Sequence, residues 1–115
     1  MLLVIDRGRW LRGEGPKDSF LKRQRDGKMC CLGFEALRRG YTEEDIMGAS
    51  GPWADIVGWE GLLEKNLGRL TTPFPTQTCQ QMMLVNDDRY LPEEQREQQL
   101  KELFLKVGVQ VEFVD

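Results

Sequence analysis

The chain is predicted to fold as a small α+β domain, with a sheet that pairs its N- and C-terminal strands under three to four helices. Three observations predict it. An apolar run opens the chain, an alternating apolar and polar run closes it, and helical periodicity with capping signals fills much of the space between. At 115 residues the chain has the length of one compact domain, spanning residues 1–115. A domain of that size buries a core without disulfide staples.

Leu2 to Ile5 reads as a short buried strand, because it is apolar and ends on β-branched residues. Arg7 to Gly15, closed by Pro16, carries three glycines and reads as a loop around Trp10-Leu11-Arg12. Asp26-Gly27 signals a turn, and Asp26 is also placed to cap the helix expected after it. That helix is expected from Lys28 to Arg39, with Cys30, Phe34 and Leu37 on one face and Gly40 as its stop. Thr42 is expected to cap a second short helix, with Asp45 as the reciprocal partner and Tyr41 and Ile46 as a hydrophobic staple. Residues 48 to 61 are rich in glycine and tryptophan and read as irregular, while Leu62, Leu63 and Leu67 suggest a helical turn. Thr71 to Thr76, with two prolines, is expected to be extended. Gln77 to Val85 reads as a helix that Asn86 ends in a left-handed conformation. Pro92 opens the last helix, whose stripe is Leu100, Leu103, Phe104 and Val107 and whose stop is Gly108. Val109, Val111 and Phe113 then alternate as a half-buried strand that pairs with residues 2 to 5.

Composition removes several functions. No apolar run approaches the roughly 20 residues that span a bilayer, so neither a membrane nor a secretory role is expected and the cytoplasm is the expected compartment. The chain has no histidine, which excludes Cys-His and Ser-His-Asp catalysis and the commonest zinc ligand. Cys30, Cys31 and Cys79 read as reduced, buried thiols, without the spacing of a metal site. No cofactor, metal or catalytic residue is assigned, and a binding protein is expected rather than an enzyme.

Charge is split along the chain. Residues 1–40 hold ten Lys/Arg against five Asp/Glu, a net +5, whereas residues 41–115 hold six against fourteen, a net −8. The split predicts an anion site within the first 40 residues, and its alternative is solvated surface charge. The acidic remainder argues against nonspecific binding of duplex nucleic acid. Arg9, Trp10 and Arg12 combine guanidinium forks with an indole face, as phosphate and base recognition require, unless Trp10 is a core anchor. Lys28 stands where a helix is expected to begin and adds charge to its exposed amides. Asn86 and Asp87 offer acceptors for a ribose or base edge, or serve as turn residues. Gly33 inside a helix signals close approach of another backbone or a ligand.

The segments Trp10 to Glu14, Asp26-Gly27-Lys28-Met29-Cys30-Cys31-Leu32-Gly33-Phe34, Asn86-Asp87-Asp88 and Gly108 to Asp115 give the chain a family likeness. It resembles a group of small uncharacterised proteins of bacteriophages, prophages and some bacteria. The resemblance covers the two ends well and residues 50 to 76 poorly. It implies a phage-like origin and a host-interaction role, and it carries over no catalytic residue. With that origin, the residue constellations and the charge split lead to two expected partners: an anionic nucleotide-like molecule held by Arg9, Trp10, Arg12, Lys28, Asn86 and Asp87, or a host defence protein met by an acidic face that includes Glu93, Glu94 and Glu97. A homo-oligomer is compatible with either. A small enzyme using Cys31 or the Asp87/Asp88 pair is the remaining alternative.

Overall fold

The computed structural model describes residues 2–38, 40–48 and 76–115. The irregular segment, the helical turn and the extended stretch expected between residues 49 and 75 lie outside them. In chain order the described elements are β1 (Leu2–Asp6), two single-turn 3-10 segments (Arg7–Arg9 and Pro16–Asp18), α1 (Cys31–Arg38), α2 (Glu43–Ile46), α3 (Thr76–Asp87), α4 (Glu93–Leu105) and β2 (Gln110–Val114).

β1 and β2 pair in parallel, with Leu2 opposite Gln110 and Asp6 opposite Val114. Leu3, Ile5, Val111 and Phe113 point into the core, and Leu2, Val4, Gln110 and Glu112 point out. The alternation thus buries one face of the sheet, against which α1 and α4 pack. Pairing extends beyond these strands through isolated parallel bridges from Trp10 to Met29 and from Lys22 to Met47. Such short pieces lack the length and pattern that make a strand legible in sequence.

α1 begins at Cys31, three residues later than its periodicity suggests. The Met29 amide donates to Arg9 O and the Cys30 amide to Phe20 O, so both are committed to extended pairing. Asp26 accepts from the Lys28 amide and closes a local turn in place of a helix cap. The other end matches expectation. Gly40 adopts φ 100°, its amide reaches Leu37 O, and the Tyr41 amide reaches Ala36 O, which is a Schellman stop. Gly108 ends α4 in the same way, at φ 81°. Gly33 has its reason on the opposite side of α1: a Cβ there would lie 1.9 Å from Leu21 O. Only a glycine lets the helix sit on that backbone.

α3 differs from its expected end. Asn86 does not terminate the helix in a left-handed conformation; it stands inside Thr76–Asp87, and no described non-glycine residue has positive φ. Its side chain is fully buried and hydrogen-bonded on both its oxygen and its nitrogen. That enclosure explains a helical asparagine that propensity alone disfavours.

Candidate functional site

The expected ligand cluster separates into two parts. Trp10 is 1% exposed, its ring 4.9 Å from that of Phe113. Its Nε1 donates to Asn86 Oδ1 at 2.9 Å. The same oxygen accepts from the Cys31 amide at 3.1 Å. Asn86 Nδ2 donates to Leu11 O at 3.0 Å and to Asp87 Oδ1 at 2.9 Å. The backbone oxygens of Asn86 and Asp87 accept from the Gly13 and Gly15 amides. Trp10, Asn86 and Asp87 therefore do come together, but as a sealed polar joint that fastens the Leu11–Gly15 loop to the end of α3. Arg12 lies over the indole at 4.5 Å and donates to Glu93, Arg7 O and Trp10 O. Arg9 pairs with Glu43 at the start of α2. In this arrangement the Trp10 stacking face, the Asn86 amide and both arginine heads already have protein partners.

Burial also defines the ionisable groups of this joint. The loss of water around Asp87 raises its carboxyl above the ordinary range, against the pull of the Asn86 amide and the nearby Ser19 hydroxyl and Arg96 charge. Ser19 Oγ faces it without closing a hydrogen bond of standard geometry. Burial pushes the Cys30 thiol up to about 12 and the Cys31 thiol well above its ordinary value. Neither is a poised nucleophile. Asp87 is buried whereas Asp88 is exposed, so the two do not converge as an acid-base pair. Among the described residues no group of three or more metal-ligating side chains is gathered.

Lys28 belongs to a different place. Arg23 N donates to Lys28 O and Gly27 N to Arg23 O, forming a tight turn with Gly27 at φ 73°. Next to this turn lies a groove of about 540 Å3, lined by Asp18, Phe20, Arg23, Gln24, Arg25 and Gly48. That volume falls within the roughly 300–1,000 Å3 of small-molecule sites. Arg23 is 5% exposed and forms one wall. Its guanidinium donates to Asp26, Glu14 and Asp18 O, so its charge is spent on the wall itself. Those hydrogen bonds hold the Asp26 carboxyl well below its usual range, the Arg23 contact being the largest cause. Lys22 is tied to Glu43 and Gly27 O, and the Gly48 amide donates to Lys22 O, which fixes the rim.

Of the uncommitted cations of the basic segment, Arg25 lines this groove, Lys28 closes the adjoining turn and Lys17 precedes the lining residue Asp18 in sequence. Among the described residues of 1–40, Lys17, Arg25 and Lys28 make no ion pair and their side chains no hydrogen bond. Elsewhere Arg7 is clasped by Glu97, Arg12 by Glu93, and the buried Arg96 by Glu93, Val85 O, Asp88 O and Leu91 O. Among the described residues of 1–40, the basic charge thus resolves into cations that build the fold and a smaller set, within residues 17–28, that does not. Comparison of the chain with protein-family models, with curated proteins and with solved structures returns no match.

The structure adds residues that sequence reasoning missed. Phe20, Gln24 and Arg25 carry no periodic signal, and only folding places them beside Gly48. Arg96 had a usable signal: it precedes Leu100 and Phe104 by four and eight residues, an arginine on the apolar face of α4. The acidic face also changes character, because Glu93 and Glu97 are taken up by Arg12, Arg96 and Arg7, leaving Glu94 exposed. No helix among the described residues is long and apolar enough to cross a membrane.

Proposed function

We propose that this chain is a non-enzymatic binding protein that captures an anionic, nucleotide-like small molecule in the groove beside the Arg23–Lys28 turn. The observation that carries this reading is the groove itself, where the unpartnered Arg25 shares a concave surface with the partly buried ring of Phe20. Arg25 takes the phosphate through its planar fork, with Lys28 adding charge from the same turn. Phe20 supplies an apolar contact for the base. The ligand class is the one expected from sequence, and Lys28 is retained from the expected set. Arg9, Trp10, Arg12, Asn86 and Asp87 are committed to the fold by their own partners.

In a phage-type chain acting in the host cytoplasm, such capture would lower the free concentration of a nucleotide-derived defence signal. The test is calorimetry and thermal shift against mononucleotides, cyclic dinucleotides and ADP-ribose-type compounds. Arg25→Gln and Lys28→Gln should each weaken binding by about 1.5–3 kcal/mol, the worth of a hydrogen bond to a charged group. A panel without a single binder removes the reading.

A further inference from the structure

The groove holds a negative group as well as a positive one. Asp18 lines it together with Arg25, and no ion pair joins the two. The Asp18 carboxylate makes no hydrogen bond or ion pair with any described residue, although its backbone oxygen accepts from Arg23. A site shaped for phosphate alone gains nothing from a bare carboxylate, which repels the ligand. A carboxylate is an acceptor only, so it is satisfied by a ligand that brings donors.

We infer that the groove reads a ribose diol at Asp18 while Arg25 holds the phosphate of the same molecule, so that its ligand class is ribonucleotide and not bare phosphate or pyrophosphate. This rests on the proposed anion-binding role of the groove. A 5′-ribonucleotide presents the required order: phosphate at one end, a vicinal diol that donates two hydrogen bonds, and a flat ring beside it. Gln24, with both donors and an acceptor, suits the edge of that ring. Arg23, locked by Glu14 and Asp26, lines the same groove and holds the Asp18 backbone oxygen in place.

The experiment is calorimetry with adenosine 5′-monophosphate, its 2′,3′-dideoxy analogue and inorganic pyrophosphate, on the intact chain and on Asp18→Ala. Asp18 is exposed, so the variant should fold, and its circular dichroism and melting curve verify that. The intact chain is expected to bind the ribonucleotide at least about tenfold more tightly than the dideoxy analogue, which lacks both donors, about tenfold being the scale of a single lost hydrogen bond to a charged group. In Asp18→Ala that preference should vanish. If instead Asp18→Ala tightens both nucleotides equally, Asp18 only repels anions and the diol assignment is overturned. If pyrophosphate binds as tightly as the ribonucleotide, anion capture stands and the ribonucleotide class is overturned. If none of the three binds the intact chain, the anion-binding role fails and the diol assignment falls with it.

Discussion

Trp10 Nε1 and Asn86 Oδ1 meet at 2.9 Å inside a core that leaves them 1% and 0% exposed. Asn86→Ala therefore strands two buried donors, the indole N–H and the Cys31 amide, together with the Leu11 carbonyl. Each buried group left unsatisfied costs about 1–3 kcal/mol. Urea unfolding should show a loss of at least about 3 kcal/mol. A loss below about 1 kcal/mol would mean that the joint is not closed in solution.

Two glycines should separate steric exclusion from backbone strain. Gly33→Ala drives a Cβ into Leu21 O and is expected to cost at least about 3 kcal/mol, the upper range for overpacking. Gly108→Ala meets nothing within 4 Å but must hold φ 81°, which costs about 1–2 kcal/mol. Equal melting temperatures for the two variants would contradict the close contact at Leu21.

Arg12 and Lys28 look equivalent in the sequence and should behave differently. Arg12→Ala removes hydrogen bonds to Glu93, Arg7 O and Trp10 O, and its contact with the indole, so a loss of about 1–3 kcal/mol is expected. Lys28→Ala touches no ion pair and should shift stability by less than about 0.5 kcal/mol. Thermal unfolding of the two variants at matched salt decides it.

The ordinary readability of the fold and the opacity of the site have one cause. β1, β2, the C-terminal stop of α1 and both ends of α4 depend on neighbours in sequence, and alternation, glycine stops and the first-turn acids of α4 report them. Cys31 as a helix start depends on Phe20 and Arg9, which reach it from elsewhere in the chain. The same holds for the cations. Composition reports +5, but which charges are consumed depends on Glu14, Glu43, Glu93 and Glu97, the last three from residues 41–115. Lys28 could be read as a site residue from its turn. Arg25 could be separated from Arg23 only once the partners of Arg23 were in place.

Acid should weaken the fold. Asp26, Glu43 and Glu97 have carboxyls held below their ordinary values, chiefly by hydrogen bonds from Arg23, Lys22 and Arg7 respectively. A lowered folded-state value means that the unfolded chain binds protons first, so the stabilisation is present above the ordinary carboxyl range near about pH 4 and is lost as pH falls below it. Asp87 has the opposite sign: its raised value favours the folded state on protonation, and this partly offsets the loss. Asp26→Asn should flatten the acid limb of a stability-pH profile, whereas Asp87→Asn should steepen it. An unchanged limb in Asp26→Asn would show that the Arg23 contact contributes nothing.

The thiols should be silent until the protein opens. Cys30, Cys31 and Cys79 are all buried, and burial raises the first two far above neutrality. Iodoacetamide at about pH 8, close to the value of a free thiol, is expected to leave the native chain unmodified over minutes and to alkylate all three cysteines in urea. Mass spectrometry showing rapid native labelling at Cys31 would restore it as a candidate nucleophile.

The parallel pairing of β1 with β2 also sets a schedule for synthesis. Arg7 lies next to Asp115, 108 residues later in the chain. At about 5–20 residues per second, a ribosome exposes the Leu2–Asp6 strand for roughly 5–20 s before the segment that completes its sheet is made. During that interval the inward-facing Leu3 and Ile5 have no Val111 or Phe113 to meet. The newborn chain thus depends on whatever shelters an unpaired apolar strand in the cell. Variants that slow translation of the codons between β1 and β2, with no change in the protein, are expected to raise its aggregated fraction.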